Sequence, residues 1–252
     1  MRRARVIPCL LIQGNGLVKT RKFKDPVYVG DPVNAMRIFS EKEADEIVVL
    51  DIDASRKGAE PNYELIAEMA GEAFMPMAYG GGISNVEQVR RLIRCGIEKI
   101  VVNSAAVRSM EWIREAVGIF GRQAIVGAVD VKKTLLGGYR VVTRSATEDA
   151  QIDLDQHIAN LVTAGVGEIF INSVDRDGLM SGYDLQLIQR VSRNLTVPLV
   201  ACGGAGTVEH LEEGVCHGAS AVAAGSMFVF HGKHRAVLIS YLTAAESRQI
   251  LC

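Results

Sequence analysis

The sequence lacks the charge imbalance that marks proteins that bind nucleic acid. Its 252 residues carry 28 Lys and Arg against 29 Asp and Glu, a formal net charge of -1. A chain without an excess of positive charge is not attracted to a polyanion such as nucleic acid. It also lacks any apolar run approaching the roughly 20 residues that cross a bilayer. We therefore expect neither nucleic acid nor membrane as a partner.

The cysteines lack the spacing of a metal site or of a disulfide framework. There are five of them, namely Cys9, Cys95, Cys202, Cys216 and Cys252, without a Cys-x-x-Cys pair or a histidine-rich pattern. Zinc sites are built from such spacings, so we expect no metal, and no other cofactor is indicated. A reducing cytoplasm fits this cysteine usage best. The basic start and the apolar residues 6–12 resemble a signal peptide, but the run is too short.

One segment of the chain is present twice. Residues 75–107 (MPMAYGGGISNVEQVRRLIRCGIEKIVVNSAAV) return without a gap at 197–229 (VPLVACGGAGTVEHLEEGVCHGASAVAAGSMFV). The copies share, at one offset, Pro76 and Pro198, Gly81 and Gly203, Gly82 and Gly204, Gly96 and Gly218, and Ser104 and Ser226. Each copy has the pattern of a βαβ unit, with an apolar strand, a glycine turn, an amphipathic helix and a second strand. Such units build parallel sheets.

The glycine turns predict a phosphate site in each copy. Gly81 and Gly82 stand between a strand and a helix that begins at Ser84 or Asn85, so backbone N–H groups lie open where an anion would bind. The second strand of each copy ends in Asn103–Ser104 or Gly225–Ser226, which adds donors at the same edge. Lone glycines would merely make tight turns, but their duplication favours phosphate. Two such sites imply a substrate phosphorylated at both ends.

Strands and helices alternate along the rest of the chain. The predicted strands outside the repeat lie at 6–11, 46–53, 124–130 and 168–172, a hairpin lies at 132–153, and a last helix lies at 234–246. Glu168 and Asp175 stand at the repeat offset from Glu46 and Asp53, so the duplication extends beyond the glycine units. Eight strands alternating with helices predict an α/β fold, a (β/α)8 TIM barrel built from two half-barrels, as one domain over residues 1–252.

Asp130 is the candidate catalytic residue. It ends the strand 124–130, and active sites of such barrels lie at the C-terminal strand ends. A carboxylate framed by two phosphate sites is suited to general acid or base catalysis on a sugar-like substrate, although a helix-capping role would also explain it. A long basic loop with Lys19, Arg21, Lys22 and Lys24 follows the first strand. It is either a solvated surface or a device that draws a phosphorylated substrate inward.

Several motifs in combination resemble one family over nearly the full length. They are Ile7–Pro8–Cys9–Leu10, Gly30–Asp31–Pro32, Leu50–Asp51–Ile52, Gly80–Gly81–Gly82–Ile83, Asn103–Ser104–Ala105–Ala106–Val107, Asp175–Arg176–Asp177–Gly178, Gly182–Tyr183–Asp184 and Gly203–Gly204–Ala205–Gly206. The chain is similar to the cyclase subunit of imidazole glycerol phosphate synthase. The candidate substrate- and phosphate-binding residues are Lys19, Asp51, Gly81, Gly82, Asn103, Ser104, Asp175, Gly178, Gly203, Gly204, Gly225 and Ser226.

The resemblance implies a partner and a reaction. In that family a glutaminase docks at the N-terminal face of the barrel and sends ammonia along the barrel axis. The reaction forms imidazole glycerol phosphate and an aminoimidazole carboxamide ribonucleotide from a ribulosyl-formimino precursor, with one aspartate from strand one and one from strand five. Asp130 matches the second. A ring of charges closes the base of the barrel in the family, and Arg5, Glu46, Lys99 and Glu168 match it as an ammonia gate.

The chain departs from the family pattern at Leu11, which stands where the first aspartate is expected. A leucine transfers no proton, and losing one member of an acid/base pair forfeits about two to four orders of magnitude in rate. A barrel with the gate and the phosphate sites but one acid resembles a paralogous branch associated with amidation of bacterial surface sugars. There the barrel and its glutaminase supply ammonia to a third protein.

Three interpretations follow. The first is an ammonia-receiving barrel that acts with a glutaminase in sugar amidation. The second is a histidine-pathway cyclase that replaces the missing acid by Asp51 or Asp175. The third is a non-catalytic scaffold that activates the glutaminase. A related sugar-phosphate isomerase is a fourth, which the gate charges and the sequence of residues 175–178 disfavour.

Overall fold

Eight parallel strands close into a barrel. A computed structural model describes residues 3–135 and 137–250. The strands are β1 (Arg5–Gln13), β2 (Gly16–Arg21), β3 (Lys24–Gly30), β4 (Ile47–Asp51), β5 (Met77–Gly80), β6 (Lys99–Val102), β7 (Ile125–Lys133), β8 (Tyr139–Thr143), β9 (Glu148–Asp149), β10 (Glu168–Ser173), β11 (Leu199–Cys202), β12 (Ala221–Ala224), β13 (Phe230–His231) and β14 (Ala236–Val237). Around the barrel the order is β1, β4, β5, β6, β7, β10, β11 and β12, and β12 pairs with β1. The predicted (β/α)8 barrel is confirmed.

Helices alternate with the barrel strands and cover their outer side. They are α1 (Pro32–Glu41), α2 (Ala54–Lys57), α3 (Tyr63–Glu72), α4 (Val86–Arg94), α5 (Ser104–Arg108), α6 (Glu111–Phe120), α7 (Leu154–Ala164), α8 (Leu185–Ser192), α9 (Val208–Cys216), α10 (Ser226–Val229) and α11 (Ala244–Ser247), with a 3-10 turn at Arg122–Ala124. Within the described ranges none of them combines the length and the apolarity needed to cross a bilayer.

Short polar side chains fix where the outer helices begin. The carboxylate or amide oxygens of Asp31, Asn85 and Asp153 each accept a hydrogen bond from the backbone N–H three residues later, at 2.7, 3.0 and 3.0 Å. Such N-caps satisfy donors that a helix start otherwise leaves open. Because these helices follow the C-terminal ends of strands, the caps also fix the backbone at that end of the barrel.

Alternation along the strands separates two apolar cores. Along β1, Val6 and Leu10 pack outward against the helices, whereas Ile7, Cys9 and Leu11 pack into the barrel. Successive strand residues point to opposite faces, which produces this division. The interior cluster is completed from the other barrel strands by side chains such as Val48, Val126, Phe170 and Val200. The barrel interior is therefore lined by apolar side chains at mid-height, and Leu11 is one of them.

The basic loop predicted after the first strand is an antiparallel hairpin. β1 continues into β2 with Leu11 opposite Val18, and β2 pairs with β3. Lys19, which the sequence placed in a loop that is either solvated or draws the substrate inward, lies in β2 with 5% of its surface exposed. The hairpin predicted at 132–153 is confirmed, since β7 pairs with β8 from Lys133 opposite Tyr139.

The last predicted helix, at 234–246, is wrong. The segment contains β14 and an extended stretch before the short helix α11, whose Thr243 and Glu246 form a reciprocal capping box. The Tyr241 hydroxyl donates to the carbonyl of Val6 at 2.8 Å, near the N-terminal end of β1. An extended chain covers about 3.3 Å per residue against 1.5 Å in a helix, so only an extended segment reaches from the mouth of the barrel to its base.

One cysteine also departs from the sequence expectation. Cys216 is disulfide-bonded, a pairing that the cysteine spacing did not predict. Cys9, Cys95 and Cys202 are free thiols. Cys252 lies outside the described residues.

A buried histidine in α7 makes stability depend on pH. His157 is 0% exposed, and neither ring nitrogen has a hydrogen-bond partner within residues 3–135 and 137–250. Burial lowers the pKa of His157 to about 4, against about 6.5 in an unfolded chain. As pH falls from 6.5 to 4, His157 binds a proton in the unfolded chain but not in the folded chain, so stability is lost in that pH window.

We expect His157→Leu to remove this pH dependence. The parent should lose about 3 kcal/mol of unfolding free energy through this group as pH falls across the window. Urea unfolding of parent and variant at pH 7 and pH 4.5 measures the difference. Equal losses in the two proteins would show that His157 is not the source.

Candidate functional site

One cavity opens at the C-terminal ends of the barrel strands. Twelve of the thirteen sequence-predicted site residues outside the base of the barrel line it, namely Lys19, Asp51, Gly81, Gly82, Asn103, Ser104, Asp130, Gly178, Gly203, Gly204, Gly225 and Ser226. The exception is Asp175, whose carboxylate accepts a hydrogen bond from the backbone N–H of Lys133 at 2.7 Å. Asp175 thus holds the β7–β8 hairpin and does not line the cavity.

The first glycine turn forms an open cradle between β5 and α4. Gly81 and Gly82 have φ of 125° and 71°, in the region that favours glycine. A Cβ on Gly82 would lie 2.5 Å from the carbonyl oxygen of Ala59, so a side chain does not fit. Ser104 opens α5 beside this turn and its hydroxyl accepts a hydrogen bond from the backbone N–H of Arg144 at 3.0 Å. Backbone donors and a hydroxyl therefore meet at one edge of the cavity.

The second glycine turn, between β11 and α9, has the same character. Gly203 and Gly204 have φ of 92° and 115°. A Cβ on Gly204 would lie 2.2 Å from the carbonyl oxygen of Gly182. Ser226 opens α10 at the same edge. The cavity is thus bordered by two cradles suited to anions, one in each copy of the repeat.

Sequence reasoning missed the turn that covers the first cradle. Arg144, Ser145 and Ala146 all have left-handed backbone, with φ of 51°, 56° and 61°. The Ser145 hydroxyl donates to the carbonyl of Ile52 at 2.7 Å, and Ser145 and Arg56 line the cavity. Left-handed residues other than glycine are unfavourable and gather at functional sites. No glycine marks this turn, so the sequence carried no signal for it.

Asp130 lies at the end of β7 with its carboxylate in the cavity. The side-chain amide of Asn103, on the neighbouring strand, donates to it at 2.7 Å. Burial raises the pKa of Asp130 to about 7, Asn103 opposes this rise, and the charge of Asp177 adds to it. A carboxyl group of that pKa is present in both protonation states near neutral pH, which suits a general acid or base.

Asp177 lines the cavity together with Asp51 and Asp130, and it was not among the site residues expected from the sequence. Its carboxylate accepts a hydrogen bond from the Thr20 hydroxyl at 2.9 Å, and its carbonyl accepts one from the backbone N–H of Lys22 at 2.9 Å. Burial raises the pKa of Asp177, while the charge of Lys19 lowers it. A Cβ on Gly178 would lie 2.1 Å from the carbonyl oxygen of Thr20. The β2–β3 hairpin is thus fastened to Asp177 and Gly178 across the mouth.

Leu11 and Lys19 face the cavity from the side of β1. Three strands separate β1 from β7 in either direction around the barrel, so Leu11 lies across the cavity from Asp130. Lys19 donates a hydrogen bond from its ammonium group to the carbonyl of Cys9. A Cβ on Gly225 would lie 2.1 Å from the Lys19 Nζ, so Gly225 leaves room for the ammonium group. The side of the cavity opposite Asp130 therefore carries Leu11 and the ammonium group of Lys19.

Four charged side chains close the base of the barrel, and we call them the charged ring. They are Arg5, Glu46, Lys99 and Glu168. Arg5 pairs with both glutamates, and the Lys99 Nζ lies 2.7 Å from Glu46 and 3.3 Å from Glu168. The glutamate side chains are only 3% and 8% exposed. Each anion lies between two cations, which compensates for the loss of hydration.

Known proteins of one family match most of this chain. Residues 5–235 match the family described as histidine biosynthesis protein. The chain belongs to this family.

Within it, the relatives are imidazole glycerol phosphate synthase subunits of the HisF type. A Pseudomonas aeruginosa protein designated subunit hisF2, still marked as provisional, is 54% identical over 244 residues, covering 96% of each chain. A Vibrio vulnificus protein designated hisF3, with the same mark, is 46% identical and covers 100% of this chain and 97% of its own. The HisF subunit of Thermobifida fusca is 41% identical over 231 residues, 90% of each chain.

We expect inorganic phosphate to bind the cradles and to raise the melting temperature. At phosphate near 100 times its Kd the gain is about 2.7 kcal/mol, or about 5–10 °C for a chain of this size. Ser226→Ala removes a hydroxyl at the second cradle and should reduce this increment, while Ser192→Ala on an outer helix should not. Absence of any increment at millimolar phosphate would argue against both cradles.

We expect Lys99→Met to destabilise the fold, because it leaves Glu46 and Glu168 short of a buried partner. The loss should be about 3 kcal/mol in urea unfolding at neutral pH. Arg37→Met is the control, since it breaks an ion pair with Glu72 whose side chains are 55% and 32% exposed. Such a surface pair contributes less than about 1 kcal/mol. Equal losses in the two variants would mean that the charged ring does not stabilise the barrel.

Proposed function

We propose that this chain is the ammonia-receiving barrel of a glutamine amidotransferase and that it serves the amidation of a surface sugar rather than ring closure. A glutaminase docks at the base, next to the charged ring, and ammonia passes along the axis to the cavity. The cavity holds a ligand phosphorylated at both ends. A third protein then uses the ammonia on a sugar.

The single observation that carries the distinction from ring closure is Leu11. It lies across the cavity from Asp130, where the resemblance places the first aspartate of an acid/base pair. A leucine side chain neither accepts nor donates a proton. A pocket with one acid on one side and an apolar side chain on the other is poorly suited to a ring closure that needs both an acid and a base.

The remaining geometry supports an ammonia-receiving barrel. The charged ring lies between the base and the apolar interior, and it would have to rearrange for ammonia to enter. At the far end Asp130, held by Asn103 at 2.7 Å, accepts hydrogen bonds from ammonia when it is ionised. The pKa of about 7 also argues for a chemical role of Asp130 over a purely scaffolding barrel.

A second candidate function is the cyclase of histidine biosynthesis. Two observations favour it. Asp177 lines the same cavity and burial raises its pKa, so it offers another acid besides Asp130. The relatives' names also designate imidazole glycerol phosphate synthase subunits. Of the two replacements that the sequence suggested, Asp51 lines the cavity and burial raises its pKa, whereas Asp175 lies outside the cavity lining.

Turnover of the ribulosyl-formimino precursor with supplied ammonium separates the two functions. We expect the parent to form imidazole glycerol phosphate about two to four orders of magnitude more slowly than Leu11→Asp, because the variant restores a proton-transferring group. Leu11→Asn is the control, since it has nearly the same shape as aspartate without the acid. A parent as fast as Leu11→Asp would favour the cyclase, and loss of that activity in Asp177→Asn would assign the replacement acid.

A further inference from the structure

Two neighbouring hairpins at the mouth carry a cluster of cationic side chains, which we call the basic rim. Its members are Arg21, Lys22 and Lys24 on the β2–β3 hairpin and Lys233 and Arg235 on the β13–β14 hairpin. All except Arg235 are exposed. Among the described residues, none of the five belongs to an ion pair. The chain as a whole has a formal net charge of -1, so positive charge is concentrated here.

Specific contacts hold the two hairpins side by side. The Arg235 guanidinium donates to the carbonyl of Gly178 at 3.2 Å, and the backbone N–H of Lys22 donates to the carbonyl of Asp177 at 2.9 Å. The two hairpins are thus fastened to adjacent residues of the chain, one to Asp177 and the other to Gly178. Burial and the nearby charge of Arg21 lower the pKa of Arg235. Like charges held together in this way repel each other, and an anionic partner would relieve that repulsion.

Large apolar side chains are exposed beside the basic rim. Val27 and Tyr28 on β3 are 57% and 66% exposed, and Val237 and Leu238 at the end of β14 are 49% and 54% exposed. Scattered apolar residues are ordinary on a surface, but exposed apolar and aromatic side chains on the same two hairpins as the cations have the composition of a protein interface. No other described part of the chain covers these apolar side chains.

We propose that the basic rim and its apolar flank dock an acidic surface of the protein that uses what the cavity delivers. This proposal rests on the proposed function, because only a barrel that passes on ammonia needs a partner at its mouth. None of the five cations lines the cavity, which separates the basic rim from the ligand site. A small phosphorylated ligand would not require the apolar flank. Asp25, at the tip of the β2–β3 hairpin, has an exposed carboxylate that would repel an anionic lipid surface. A protein partner can instead place a cation beside this carboxylate.

Binding to synthetic polypeptides tests the proposal. The probes are a random copolymer of glutamate and tyrosine, poly-glutamate, and phosphatidylglycerol vesicles, each immobilised and measured at low and high salt. The test variant is Lys24→Glu with Lys233→Glu, which changes one cation on each hairpin. The matched control is Arg114→Glu with Arg193→Glu, which makes the same charge change at exposed positions on the outer helices.

We expect the parent to bind the copolymer, and the rim variant to bind it roughly tenfold or more weakly, with the control close to the parent. Tyr28→Ser should weaken binding of the copolymer and leave binding of poly-glutamate unchanged. Equal loss in rim and control variants would overturn the proposal, because it would show attraction to net charge alone. Binding to vesicles but not to the copolymer would also overturn it in favour of a lipid surface.

Phosphate-induced stabilisation separates failure of this proposal from failure of the proposed function. The rim variant should keep the full increment in melting temperature with inorganic phosphate, because the cradles are intact. A reduced increment would place the basic rim in the ligand site and overturn the docking proposal. A full increment together with unweakened copolymer binding would also overturn it, while leaving the ammonia-receiving barrel untouched.

Discussion

The neutralisation of four charges at the base of the barrel is the constraint on which the rest depends. Arg5, Glu46, Lys99 and Glu168 come from four different strands and alternate in sign around the axis. Removing one member leaves its two neighbours in the ring with one partner each instead of two, although both have lost part of their hydration. The charged ring therefore ties β1, β4, β6 and β10 together at one end, and the C-terminal ends of the same strands carry Leu11, Asp51, Asn103 and Asn172. The geometry of the mouth follows from the closure of the base.

Between the two ends, the interior changes from apolar to acidic over the length of one strand. On β7, Val126 and Ala128 pack into the barrel and Asp130 follows at the mouth. On β1 the same alternation places Ile7, Cys9 and then Leu11. The strand period thus places Leu11 and Asp130 at the same end of the barrel, and the residue at position 11 decides whether an acid lies on the β1 wall opposite Asp130.

Much of the fold and of the site was predictable, and the misses have physical reasons. Repeated glycines and apolar alternation are local signals, so the barrel strands were predictable, and the glycine turns and Asp130 lie at the mouth as expected. The prediction of a helix at 234–246 was wrong because the Tyr241 hydroxyl bonds to the carbonyl of Val6. Such a contact between distant parts of the chain leaves no signal in the local sequence pattern. Asp175 and Asp177 stand two residues apart, and only the turn after β10 decides which faces the cavity. The left-handed turn at Arg144 to Ala146 is stabilised by side-chain hydrogen bonds to the carbonyls of Ile52 and Arg56. The turn therefore contains no glycine that would mark it in the sequence.

The repeat also makes the pocket directional. Gly225 occupies, in the second copy, the position of Asn103 in the first. Asn103 supports the acid Asp130, whereas the space beside Gly225 is taken by the ammonium group of Lys19. Two nearly equal anion cradles therefore flank a centre that is acidic on one wall and cationic on the other. A ligand with the same group at both ends would bind in a single orientation, because its central part is what distinguishes one end from the other.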